Sequence, residues 1–283
     1  MRIVFSLLAL LAISCSAQAG VIDSLFNGEV TKLEDVDYEI ALDGGDGSLD
    51  VGDYLLTIIE FGATRLAASN DLVFDASAST DAITGVALFK VAGVSQVFAG
   101  SDAILSYALT GATSAEWLAQ AGLAGIGDGT ALVAYHDPIS APAQHIVNAP
   151  TVAAGVASAT HGTKIFEFAV DNNFLGATVS DLIGGTFNAY DAANVDGFTS
   201  AGAFVSTYNG LPGVTLVEHD FNNFGFDTEL QLIGGFESKG GAGAFDFVTD
   251  SDVYLHAVPE PGTGLAFIGI TMVTGFVRRR RQS

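Results

Sequence analysis

The chain has a single cysteine in 283 residues, Cys15. It lies inside the opening segment MRIVFSLLALLAISCSAQA, where Arg2 precedes an apolar core from Ile3 to Ile13 and small residues stand at Ala17 and Ala19. That core is far shorter than the ~20 residues that span a bilayer, so the segment reads as a secretory signal peptide, residues 1–19, cut between Ala19 and Gly20. A lipoprotein box on AISC is the competing reading, but Ala12 occupies the position where leucine is usual. With the signal gone, no thiol remains. Disulfides, cysteine nucleophiles and thiolate metal sites are excluded from the body.

Basic residues are equally scarce. Of ten, five are terminal, leaving Lys32, Arg65, Lys90, Lys164 and Lys239 against 31 acids in residues 20–257, a net charge of −26. Such a surface has no basic patch to neutralise phosphate, which excludes nucleic acid as a partner. Cations are favoured instead. The catalytic signatures that are easiest to recognise are missing as well: there is no G-x-S-x-G, and the nearest stretch, GVSQV (93–97), lacks the second glycine. The five histidines form no H-x-H or H-x-x-x-H pair. Trp117 is the only tryptophan, and SAEWLAQAGL (114–123) around it reads as a short helix capped at Ser114, where the indole packs.

What the body does have is strands. Alternating or β-branched and aromatic runs separated by Gly, Asn and Asp occur at 37–42, 54–61, 83–93, 103–109, 131–136, 164–170, 202–208, 214–221, 229–237 and 252–258. Few helical signals interrupt them; a second is 180–190. The pattern predicts an all-β, antiparallel β-sandwich or jelly-roll-like body over residues 20–257 with a few short helices. Two smaller β domains divided within the Ala- and Pro-rich stretch 137–162 are the alternative.

Two constellations invite chemistry. ALDGGDGSLDVGDYLL (41–56) places Asp43, Asp46, Asp50 and Asp53 among glycines, as oxygen-rich calcium loops do, although Leu42 and Gly44 stand where such a loop needs carboxylates. A β-hairpin turn explains the same residues, since Asp and Gly supply Asx-turns and positive φ. Glu167 and Glu229 are the acids nominated if the protein is a polysaccharide hydrolase, which needs two carboxylates facing a groove. A solvated sheet face explains them without catalysis. Calcium is thus the one cofactor the sequence raises, and a calcium-stabilised lectin-like module a further reading.

The last stretch, VPEPGTGLAFIGITMVTGFVRRRRQS (258–283), is the most specific. Pro259-Glu260-Pro261 reads as extended backbone without pairing. An uncharged run from Gly262 to Val277 follows, long enough for a single transmembrane helix with help from its flanks, and then Arg278, Arg279, Arg280 and Arg281, which hold the terminus in the cytoplasm. This ordered triplet resembles the PEP-CTERM sorting signal. The resemblance covers only the tail. It implies processing by exosortase, with Pro259, Glu260 and Pro261 as substrate residues, in a bacterium with an outer membrane and commonly with exopolysaccharide. Export through the Sec translocon, cleavage by signal peptidase, a membrane-anchored intermediate and then release to the cell surface or matrix follow as expectations. The body is expected to be non-enzymatic, with a structural, adhesive or carbohydrate-binding role.

Overall fold

A computed structural model describes residues 28–45, 49–75, 82–99, 102–137, 149–181, 195–221, 225–236, 245 and 247–259. The signal peptide with Ala19 and Gly20, together with Asp46, Glu260, Pro261, the run 262–277 and Arg278 to Arg281, lie outside them. Eleven strands form one sheet: β1 (Val30–Leu42), β2 (Tyr54–Leu66), β3 (Leu72–Asp75), β4 (Ala82–Ala99), β5 (Asp102–Gly111), β6 (Thr130–Asp137), β7 (Thr163–Asp181), β8 (Val195–Asn209), β9 (Val214–Leu216), β10 (Leu230–Phe236) and β11 (Phe247–Pro259). Each strand that the sequence pattern predicts is present in whole or part, and β3 is an addition.

The sheet closes. Hydrogen-bonded neighbours run β2-β1-β11-β10-β8-β7-β6-β4 and return to β2, every pairing antiparallel. The body is therefore an eight-strand closed barrel, which corrects the expected sandwich or jelly roll. Closure depends on two long strands that each serve two partners along one edge. β4 pairs with β6 over Ala82–Ala87 and with β5 over Phe89–Ala99; β7 pairs with β6 near its start and with β5 near its end. β5 and β6 thus occupy one stave in line, joined where Ala112 bridges Thr130. Residues between them leave the wall and return. Strands on both sides of 137–162 belong to this one sheet.

Alternation along the staves gives the barrel an inner and an outer face. Inside, Leu55, Ile59, Phe61, Phe89, Phe168 and Phe204 belong to one apolar cluster. Outside, Leu56, Ile58, Val86, Leu88 and Val133 form a second cluster with Trp117, Val156 and Phe245. Two short helices cover this outer face among the described residues. α1 (Ser114–Glu116) continues into a π-turn (Trp117–Ala121), and α2 (Val152–Ala159) lies in the Ala- and Pro-rich stretch where the sequence offers a division into two domains. Thr113 caps α1 in a reciprocal box with Glu116. Among the described residues no helix is long and apolar enough to cross a membrane. The expected transmembrane helix is thus not part of the structure shown, its residues lying outside those described.

Candidate functional site

The sorting segment begins at the barrel rim. β11 runs to Pro259, whose partner is Val214 of β9, with Val258 opposite Thr215 and Ala257 opposite Leu216. Pro259, expected to be unpaired, is therefore the last residue of a paired strand. The bridge is one that proline tolerates, at the end of a strand on the short partner β9. Glu260 and Pro261 follow directly, so almost no linker separates the folded body from the motif.

The aspartate-rich loop is a hairpin between β1 and β2. Asp43 Oδ1 accepts the Gly45 N–H at 2.8 Å in an Asx-turn, with Gly44 at φ 69° and Gly45 at φ 90°. Asp53 turns its Oδ2 to the Asp50 N–H at 2.6 Å, and the Asp53 N–H returns to Asp50 O. Both carboxylates serve the turn. Among the described residues no group of three or more His, Cys, Asp or Glu side chains is placed to hold a metal ion; Asp46 lies outside that description.

Glu167 and Glu229 sit in separate structural clasps. Glu167 is buried, contrary to a solvated sheet face: its Oε2 accepts the Gly127 N–H at 2.9 Å and the Thr130 hydroxyl at 3.2 Å, while Lys164 pairs with Oε1. Burial favours the neutral acid, but the Lys164 ammonium and these donors outweigh it and hold the carboxyl below its ordinary range. The clasp ties the returning end of the excursion between β5 and β6 to β7. Glu229, just before β10, accepts the Ser206 N–H of the neighbouring strand β8 at 2.5 Å; burial pushes its carboxyl up against that hydrogen bond, and Glu218 and Asp171 add to the rise. It lines an open hollow of about 300 Å³ with Ser206, Thr207, Tyr208, Asn209 and Thr215. Tyr208 is 42% exposed, and one face of its ring carries Lys164 Nζ at 4.7 Å. Among the described residues the two glutamates share no partner.

Among the histidines, His161 Nδ1 lies 2.8 Å from Asp137 Oδ2, an exposed ring set against a buried carboxylate. His219 and His256 stand edge to face with ring centres 6.3 Å apart. Neither pair has a nucleophile or third ligand beside it in the contacts described.

The feature that sequence reasoning missed is inside the barrel. Asp35, Asp37 and Glu39 alternate along β1, so all three point inward, and they are 3%, 2% and 5% exposed. Asp35 Oδ1 accepts the Ser251 N–H at 2.7 Å, and Glu39 Oε1 takes a long bond of 3.4 Å from Thr57. Asp35 Oδ2 and Glu39 Oε2 have no hydrogen-bond partner among the described residues. Burial, reinforced by the Asp37 charge, pushes the Glu39 carboxyl up to about 8, and it raises Asp35 well above the usual carboxylate range. Acids at every second position of a strand opposite Val36, Tyr38 and Ile40 were the available signal.

Comparison with known proteins identifies the tail alone. Residues 257–281 match the PEP-CTERM protein-sorting motif. No curated protein and no solved structure matches the chain. The chain therefore carries a PEP-CTERM signal at its C-terminus, and that signal marks it for export, for processing by exosortase and for sorting to the cell envelope or surface.

Proposed function

We propose that the barrel is a non-enzymatic structural, adhesive or carbohydrate-binding protein of the cell envelope or extracellular matrix, with exopolysaccharide as its partner. In this reading the Sec translocon exports the chain, signal peptidase cuts after Ala19, and the tail keeps the protein at the membrane until exosortase acts on Pro259-Glu260-Pro261. The observation that carries it is a sorting motif joined without a linker to a closed barrel whose two nominated catalytic acids are engaged in separate clasps. Supporting a sugar-binding role, the hollow beside Glu229 offers an exposed tyrosine ring among hydroxyl and amide groups, the mixture that holds a sugar face. Glu229 is the only carboxylate among the described residues that line it, whereas glycoside hydrolysis needs two about 5 to 10 Å apart.

The test is co-sedimentation with the producing cell's exopolysaccharide, run beside a reducing-end assay. Retention that falls at least fivefold in Tyr208→Ala, with no reducing ends released, supports the proposal. Release of reducing ends that disappears in Glu229→Gln or Glu167→Gln favours the hydrolase and overturns it.

A further inference from the structure

We propose that the barrel interior is a calcium site, built from the carboxylates of Asp37 and Glu39 and the hydroxyls of Thr57, Ser200 and Ser251, and distinct from the Asp43–Asp53 hairpin. These five residues line one cavity of about 20 Å³, closed on its other sides by Leu55, Phe89, Leu175 and Leu232 among others. That volume accepts about one water-sized body. The described lining offers side-chain oxygen donors only, which is the chemistry of a hard cation, and bidentate binding by one or both carboxylates would bring the five residues to six or seven oxygens without water.

Three features of the wall show that the space is built. Ser251 of β11, Gly234 of β10 and Ser200 of β8 are cross-strand neighbours. A Cβ at Gly234 would stand 2.5 Å from both serine hydroxyl oxygens, so only glycine lets them approach there. On the opposite side Glu39 is paired in register with Thr57. Glu39 Oε2, on a side chain 95% buried by its 5% exposure, is left without a partner in this cavity. An ionised carboxylate enclosed in this way needs a counter-charge.

No side-chain cation on the described part of the chain supplies it. Lys32 pairs with Glu34 and Asp252, Arg65 with Glu34, Lys90 with Glu116 and Lys164 with Glu167. Lys239 lies outside the described residues. Two ionised carboxylates balance a divalent ion. Magnesium suits the cavity less, because it demands near-ideal octahedral geometry and gives up water reluctantly.

The experiment uses the full chain, stripped with EDTA and held at constant 150 mM NaCl so that screening of the acidic surface is the same throughout. Native mass spectrometry is expected to count one retained calcium. Melting temperature should rise saturably, by about 5–10 °C at calcium 100-fold above its dissociation constant, with a smaller rise for magnesium. Glu39→Gln should remove most of that rise, while the double variant Asp50→Asn/Asp53→Asn keeps it. A native chain that retains no calcium and melts within 1 °C of the stripped protein overturns the proposal, as does an equal response to magnesium. So does loss of the calcium response in the hairpin variant with its survival in Glu39→Gln. If Glu39→Gln does not fold, the native-chain mass and melting results decide alone.

Discussion

Replacing Trp117 by alanine tests how the excursion between β5 and β6 is held. The indole is fully buried, and its Nε1–H donates to Thr130 O at 2.9 Å, the residue where the chain rejoins the wall. A buried tryptophan removes about 200 Å² from water, which at 25 cal/mol/Å² corresponds to about 5 kcal/mol. Partial collapse of the outer cluster onto the gap lowers the expected cost to about 3–5 kcal/mol. Trp117→Phe should cost less, about 1–2 kcal/mol, because Thr130 O still accepts the Ala112 N–H at 3.0 Å and the ring fills much of the space. Urea unfolding followed by far-ultraviolet circular dichroism measures both, since the substitution removes the only indole fluorophore. A loss below 1.5 kcal/mol for Trp117→Ala would refute the view that this side chain anchors the excursion.

Other outcomes follow from single contacts. Glu167→Ala should cost about 2–3 kcal/mol and speed hydrogen exchange at the Gly127 amide, and an unchanged exchange rate there would contradict the clasp. The Glu60 carboxyl, pushed up to about 7 by burial, stays protonated in the fold while the unfolded chain ionises near 4.5. Its contribution to stability is therefore greatest below about pH 4.5 and declines as pH rises to about 7, by about 3 kcal/mol at most. Glu60→Gln should flatten that part of the stability–pH curve, and a slope identical to the parent would show that Glu60 does not titrate in this window. Gly234→Ala should destabilise the barrel by about 1–3 kcal/mol in equilibrium unfolding, since the new methyl meets the hydroxyls of Ser200 and Ser251 at 2.5 Å.

Strand positions were legible in the sequence because alternation reports which residues share a face. Partnership was not: the same alternation serves a sandwich and a barrel, and closure here depends on β4 and β7 each pairing with both β5 and β6. The helix α2 was hidden in an Ala-rich stretch whose apolar side chains pack on the outer barrel face rather than showing a strong stripe. In Asp35-Val36-Asp37-Tyr38-Glu39, polarity argues for acids outside. The register of β1 does the reverse, burying the acids and leaving Val36 43% exposed. Buried Glu167 misled for a similar reason, because its donors come from Gly127 and Thr130, distant in sequence. The tail was readable from residue order alone, since its recognition depends on a linear motif rather than on a fold.

In the proposed role, Pro259-Glu260-Pro261 directs processing of an exported barrel. The most direct measurement is the intact mass of the protein recovered from producing cells, for the native chain and for a variant with all three residues replaced by alanine. The native chain is expected to be shortened at the C-terminus and found at the surface or in the medium, and the variant to keep its full tail and stay with the inner membrane. A variant trimmed and released like the native chain would contradict it.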